Sequence, residues 1–273
     1  MKYCVPYNKH FKYMKEVDEM IIPYTEEDIH FANNLVTRDY LHDKRIIISI
    51  DDETFESFAE NKLYKVFIGL KTAHSYIDFV LRFDTYYRNG YDEIYNALKE
   101  NNIPFFFATL AKDWDTFNGL CNLGVSDIYI VEELGFELNK LGPMAHAKSI
   151  LIRTFANVSQ TSWPTTPSIK TFFIRPEDVD IYEPYIDVLE FFGNNNKQEV
   201  MYRVYSKEKK WTGDLSEIIV GFNQNIDSNR LMPMFAARRL RCGKKCAKGE
   251  TCHICDRFVD VSNTLKDKNL IFR

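Results

Sequence analysis

The sequence predicts an α/β protein, a (β/α)8-type barrel carrying a C-terminal cysteine-rich appendage, and three observations predict it. Short, nearly continuous apolar runs recur along residues 1–192, each followed by a polar or amphipathic stretch. These runs are rich in β-branched and aromatic residues, as are strands buried on both faces of a parallel sheet. Four of the six cysteines then fall within fourteen residues, after the alternation has stopped. Repeated strand–helix alternation fits a barrel, whose usual length is about 250 residues. A doubly wound open sheet is the alternative, but the glycine-rich first turn of a dinucleotide-binding sheet is absent.

In chain order, the expected strands are KYCVPY at 2–7, MIIPY at 20–24, RIIISI at 45–50 and KVFIGL at 65–70. PFFFATL at 104–110, DIYIV at 127–131, ILIRTF at 150–155, KTFFI at 170–174 and VLEFF at 188–192 complete the set. Between them, residues 91–101 place Ile94, Tyr95 and Leu98 on one helical face. Residues 115–123 and 136–148 repeat the pattern less cleanly. Residues 63–89 fit either one strand with a helix or a hairpin. The stretch Pro164, Thr165, Thr166, Pro167 marks a loop. Beyond Gly193 the alternation ends. The domain reading is therefore a barrel over 1–192 and an extension over 193–273, with VMYRVY at 200–205 as one further strand.

Hydrophobic residues at 45% and charged residues at 27% exclude a disordered chain, and 15% aromatics imply a densely anchored core. No apolar run nears the roughly 18 residues that span a bilayer, and the first residues lack a signal-peptide pattern. The expectation is a soluble cytoplasmic protein with no membrane partner. Its low-glycine, Asn-, Lys- and Tyr-rich composition is compatible with a bacterial or phage genome. The net charge of −4 conceals a division: residues 231–273 hold ten Lys/Arg against four Asp/Glu, +6, so the remainder carries −10. A pI of 5.9 argues against a strongly electrostatic nucleic-acid binder. A local RNA contact at Arg238, Arg239 and Arg241 stays open.

The sharpest motif is RCGKKCAKGETCHIC, in which Cys242, Cys246, Cys252 and Cys255 are spaced C-x3-C-x5-C-x2-C. Four thiolates this close in sequence can surround one tetrahedral zinc ion, and the same ligand set serves a [4Fe–4S] cluster. Disulfides or free thiols are the plainer alternatives. Lys244, Lys245 and Lys248 would offset thiolate charge, while His253 reads as a bystander. Cys4 and Cys121 sit among apolar neighbours and read as core residues.

Polar residues at the strand ends form the second constellation, because barrel active sites gather there. They include Asn8, Asp51, Asp52, Lys71, Glu132, Glu133, Arg153, Asn157, Arg175, Glu177, Asp178 and Glu190. Asp51, Asp52, Glu177 and Asp178 equally resemble helix caps. Arg153 and Glu190 stand inside otherwise apolar strands, where a charge is costly unless paired.

From Gly124 to Phe258 the order of motifs resembles the collagenase-like peptidase family of unknown mechanism, family thirty-two of the unclassified series. The residues that carry the likeness are Glu132, Asn157, Arg175, Pro176, Glu177 and Glu190, with Cys242 and Cys246 as the C-x3-C pair. The resemblance implies a barrel followed by a cysteine-bearing segment. It implies catalytic roles for Glu132, Asn157, Arg175, Glu177 and Glu190, to which the charge of Arg153 inside its strand adds a sixth candidate, and a small molecule, peptide or RNA in the barrel mouth. Iron–sulfur members of the family hydroxylate a quinone precursor or RNA bases, and others are peptidases. The family's further cluster cysteines lie upstream, near the Glu190 strand, and this chain has none there. Its four contiguous cysteines therefore favour zinc over [4Fe–4S]. Two other function classes follow: a catalytically lapsed barrel that binds or assembles with a protein partner, and a peptidase. No His-Glu-x-x-His helix or Gly-x-Ser-x-Gly elbow supports the last.

Overall fold

The first strand, Lys2–Pro6 (β1), is nearly continuous in burial, and the strands beside it repeat that character. The computed structural model describes residues 1–8, 10–24, 43–84, 91–131, 134–159, 168–242 and 252–271. The other strands are Glu19–Pro23 (β2), Arg45–Ile50 (β3), Phe79–Phe83 (β4), Phe105–Phe107 (β5), Leu110–Ala111 (β6), Asp127–Ile130 (β7), Leu151–Phe155 (β8) and Val188–Glu190 (β9). All pair in parallel, in the order β5-β4-β3-β2-β1-β9-β8-β7-β6. The two ends of that order, β5 and β6, are separated in the chain by Ala108 and Thr109 alone. Ser126, just ahead of β7, donates its N–H to the Phe105 carbonyl at 2.9 Å. The sheet thus curls until its edges meet. With β5 and β6 counted as one interrupted strand, it is an eight-membered, TIM-barrel-like ring.

Helices cover the outside. They are Asp52–Glu60 (α1), Tyr64–Ala73 (α2), Asp92–Glu100 (α3), Trp114–Leu123 (α4), Leu138–His146 (α5), Asn195–Tyr202 (α6), Phe235–Arg239 (α7) and Ile254–Asp267 (α8), besides shorter turns. Asp51 caps α1 by accepting the Thr54 N–H at 2.8 Å, and Asp113 caps α4 through Thr116 N–H at the same distance. Gly124 ends α4 at φ 72°, a left-handed stop that favours glycine. The aromatic residues explain their abundance here. Phe55 and Phe58 of α1, Tyr95 of α3, Phe83 of β4 and Phe105 and Phe107 of β5 interlock edge-to-face between sheet and helices.

Three expected strands are not strands. KVFIGL lies within α2, burying Phe67 and Leu70, and the strand of that region is Phe79–Phe83 instead. VMYRVY lies across the end of α6 and a wider, π-type turn over Arg203–Glu208. Its buried residues Met201, Tyr202, Val204 and Tyr205 recur at helical spacing. KTFFI is buried but stays irregular, because other groups take its carbonyls: Tyr205 Oη donates to Ile174 O at 2.7 Å and Arg239 Nη1 to Phe173 O at 3.4 Å. The segment after β9 is anchored to the barrel wall. Tyr3 Oη donates to Tyr205 O, and Tyr202 packs on Tyr3 and Phe11. Among the described residues, no helix is long and apolar enough to cross a membrane.

Candidate active site in the barrel mouth

Strand alternation sends every second residue inward, and the inward set is unusually charged. Contacts between strands that are not neighbours identify it, since only the interior brings them together. At the N-terminal end, Arg45 of β3 donates two hydrogen bonds to Asp127 of β7, at 2.6 and 2.7 Å. Arg153 of β8 donates through Nη1 to Glu19 of β2 at 2.7 Å and to Asp127 at 2.9 Å. Glu19 and Arg45 further lie 3.5 Å apart. Two guanidinium groups and two carboxylates make this layer formally neutral. The side chains of Glu19, Asp127 and Arg153 are fully buried. Burial alone would raise the Asp127 carboxyl, but Arg45 and Arg153 outweigh it and hold the group below its ordinary range. Burial likewise opposes the Arg153 charge, and Glu19 and the surrounding groups overcome it.

Phe106 and Tyr129 form a partition above. The Arg153 guanidinium lies 5.2 Å from the Phe106 ring centroid and 5.6 Å from that of Tyr129. Cys4 of β1, in register with Glu190 on one side and Glu19 on the other, is completely buried, and burial pushes its thiol well above the ordinary value. It is a core residue, as its apolar neighbours predict.

Beyond the partition lies the mouth. Arg82 near the end of β4, Asp84 just after it, Tyr129 of β7 and Glu190 at the end of β9 converge there. Arg82 Nε donates to Asp84 at 2.6 Å, and Nη1 lies 3.4 Å from both Tyr129 Oη and Glu190 Oε1. The Tyr129 hydroxyl donates to Glu190 Oε2, and Ser49 Oγ donates to the second oxygen of Asp84. Burial, then the Glu190 carboxylate, pushes the Tyr129 phenol well above its usual value, so it keeps its proton. Burial works against the Arg82 charge, but Tyr129, Glu190 and Asp84 together raise it above the ordinary arginine value. This cluster carries one excess negative charge. It also keeps contact with solvent, with 16% of the Arg82 and 30% of the Asp84 side chain exposed. A retained phenol proton, a carboxylate accepting it and a guanidinium beside both can bind a polar group and move a proton at it.

The predicted site residues are thereby separated. Glu190 is in the mouth. Arg153 is in the sealed layer beneath it. Asn157 ties the ends of β8 and β9 together, donating to Phe192 O and accepting from Phe192 N–H, each at 2.8 Å. Arg175 grips Asp178 at 2.6 and 2.7 Å and donates to the carbonyls of Ser228 and Leu231. Burial raises the Asp178 carboxyl against the opposing Arg175. Glu177 accepts from Trp211 N–H and Ser228 Oγ. These three fasten the C-terminal segment. Lys71 lies on α2 and donates to Ile77 O rather than standing at a strand end. Glu132 and Glu133 lie outside the described residues. Arg82, Asp84, Ser49, Tyr129, Glu19, Arg45 and Asp127 do not figure in the sequence reading as site residues. For Glu19, Arg45 and Asp127 the signal was a charge at the start of an apolar run, as in RIIISI and DIYIV.

Of the cysteine motif, Cys242, Cys252 and Cys255 are partly buried, and Cys246 lies outside the described residues. Among the described residues, no group of three or more His, Cys, Asp or Glu side chains is placed to hold a metal ion. Near Cys242 and Cys255 sits Arg239, 2% exposed, its guanidinium 5.0, 4.4 and 4.8 Å from the rings of Phe136, Phe173 and Phe235. Its Nε and Nη2 find no hydrogen-bond partner among the described residues, and burial lowers its proton affinity.

No family model matches the chain, and no curated protein does. Among solved structures, the chain is similar to tryptophan synthase from M. tuberculosis, in an open form with BRD0059 bound. The TM-score is 0.41 and the identity 7%, over 84% of this chain and 82% of that one.

Proposed function

We propose that the chain is a barrel enzyme acting at the C-terminal mouth, where Arg82 holds a polar or anionic group of a small molecule. Glu190 serves as proton acceptor there, with Tyr129 as its hydrogen-bonded acid partner and Asp84 and Ser49 fixing the guanidinium. The observation that carries this reading is the Arg82–Tyr129–Glu190 cluster: charged, cross-linked between non-neighbouring strands and in contact with solvent at the strand ends. It is compatible with the resemblance to the collagenase-like peptidase family, whose Glu190 counterpart is the one catalytic candidate in this cluster. Small ring compounds, nucleosides and short peptides are the substrate classes to test. Ligand-induced shifts in melting temperature should appear with wild-type protein and vanish in Arg82→Ala and Glu190→Gln. Hits that bind both variants as well as wild type would sink the reading. Binding without turnover would favour the lapsed barrel.

The cysteine motif supports a second element of the proposal, a single metal centre at Cys242, Cys246, Cys252 and Cys255, zinc first and [4Fe–4S] as the alternative. Arg239 favours it, because a buried guanidinium with two unpartnered nitrogens calls for nearby negative charge, which metal-bound thiolates supply. Anoxic purification with metal analysis tests it. About one zinc per chain supports a structural knuckle, iron with labile sulfide supports the redox alternative, and neither rejects the centre.

A further inference from the structure

We propose that the groove between the Met232–Arg239 stretch and α8 docks an acidic amphipathic segment of a partner protein. The groove encloses about 520 Å³ and is lined by Met232, Met234, Ile254, Phe258 and Val261, with Arg238 and Arg257 beside them. On α8, Ile254, Phe258 and Val261 follow one another at helical spacing and form a single apolar stripe. Phe258 is engaged by the Phe235 ring, with centroids 5.1 Å apart. Ile254 is 39% exposed and Met234 across the groove 48%. Half the stripe therefore faces a concave apolar surface that no large side chain among the described residues fills. This is the geometry in which an amphipathic helix lays its anchors into a groove, and flexible methionines let the walls adapt to them.

Charge selects the occupant. Arg238 and Arg257 are both exposed and place cations along the apolar channel. Residues 231–273 carry +6 against −10 in the rest of the chain, so an acidic segment is repelled by the body and steered to this end. A nucleic acid suits the lining poorly. Single-stranded bases need exposed rings to stack on, and among the described residues of the lining the one aromatic, Phe258, is 6% exposed. The partner segment is thus helical, with Leu, Ile or Met anchors one turn apart and Asp or Glu beside them. The inference is independent of the mouth chemistry.

The test is fluorescence anisotropy with the full chain and a labelled, designed helix of about 14 residues, leucines on one face and glutamates elsewhere. Three controls accompany it: the same composition with leucines scattered, a lysine counterpart, and an oligouridine RNA. The striped acidic helix should bind at least about tenfold more tightly than the scattered one, and Met234→Asp should remove about that factor. The pair Arg238→Glu with Arg257→Glu should reverse the preference toward the lysine helix. All these positions are exposed, so unchanged circular dichroism and melting temperature are expected to certify folding. Should Met234→Asp melt early, Ile254→Asp provides the same reading. Equal binding of striped and scattered helices, indifference to both apolar variants, or tighter binding of the RNA would overturn the proposal. A dimer in sedimentation that Met234→Asp dissolves would give the groove to a second copy, and would overturn it too.

Discussion

The two ends of the barrel interior hold similar residue types and lead opposite lives. The N-terminal layer of Glu19, Arg45, Asp127 and Arg153 is neutral, and only Arg45, 9% exposed, keeps a small contact with water. The C-terminal layer of Arg82, Asp84, Tyr129 and Glu190 has one excess negative charge and stays in contact with solvent. An arginine in an apolar strand therefore does not mark a site by itself. Hydrogen-bond saturation does not separate the two, since Glu19 Oε1 and Arg153 Nε and Nη2 find no hydrogen-bond partner among the described residues. Net charge and contact with water do: the neutral, nearly dry layer braces the ring, and the charged, wetter one can meet a ligand.

The largest expected effect tests the sealed end. Arg153→Ala leaves Glu19 and Asp127 buried with Arg45 as their remaining cation. It should cost about 3–5 kcal/mol in urea unfolding, the general scale for breaking a buried pair. An unchanged midpoint would show the layer to be dispensable.

Acid titration sharpens the contrast within buried carboxylates. Asp127 has a depressed folded pKa. Its stabilisation is present above the unfolded aspartate value of about 3.9 and is lost as pH falls through the folded value. Asp178 is raised, so its contribution has the opposite sign: present at low pH and lost as pH rises through its folded value. Asp127→Asn should thus destabilise at neutral pH by about 2–3 kcal/mol, the scale of hydrogen bonds to charged groups. That difference should shrink as wild-type Asp127 protonates. Urea midpoints of the two proteins, followed from neutral pH downward, read it directly. A constant gap would contradict the assigned direction.

At the open end, Glu190→Gln should be mild. The Tyr129 hydroxyl retains an amide oxygen to donate to, and Arg82 keeps Asp84, so a loss of about 1 kcal/mol is expected. A loss comparable to that of Arg153→Ala would make both ends structural and erase the comparison. Smallest of all, Arg203→Ala breaks a surface pair with Glu208, about half exposed on both sides, and should leave the unfolding midpoint unmoved.

Much of the ring was legible from periodicity. RIIISI, DIYIV and ILIRTF were read as buried strands and are strands, and of the two readings left open for Asp51 the structure shows the helix cap. KVFIGL misled because a short apolar run reads the same in a buried strand and in a helix packed on one. VMYRVY misled through its β-branched and aromatic content, although Asn194 stands as a helix cap before it, accepting the Lys197 N–H. The mouth was legible at Glu190 alone. Arg82 fell in the ambiguous stretch 63–89, and Tyr129 looked like one more core aromatic, since its partner is 61 residues away.

The sequence by itself determined that strands and helices alternate, that the strands are buried on both faces, and that basic charge and cysteines gather in the last 43 residues. Those properties are local, written in residue type and spacing. Only the tertiary structure decided which charges share a layer. Curling the sheet brings β4 within reach of β7 and β9 across the interior, and β8 within reach of β2, so Arg82 meets Tyr129 and Glu190 while Arg153 meets Glu19. No spacing along the chain encodes those meetings, because they depend on strand order and on the depth to which each side chain reaches inside a closed ring.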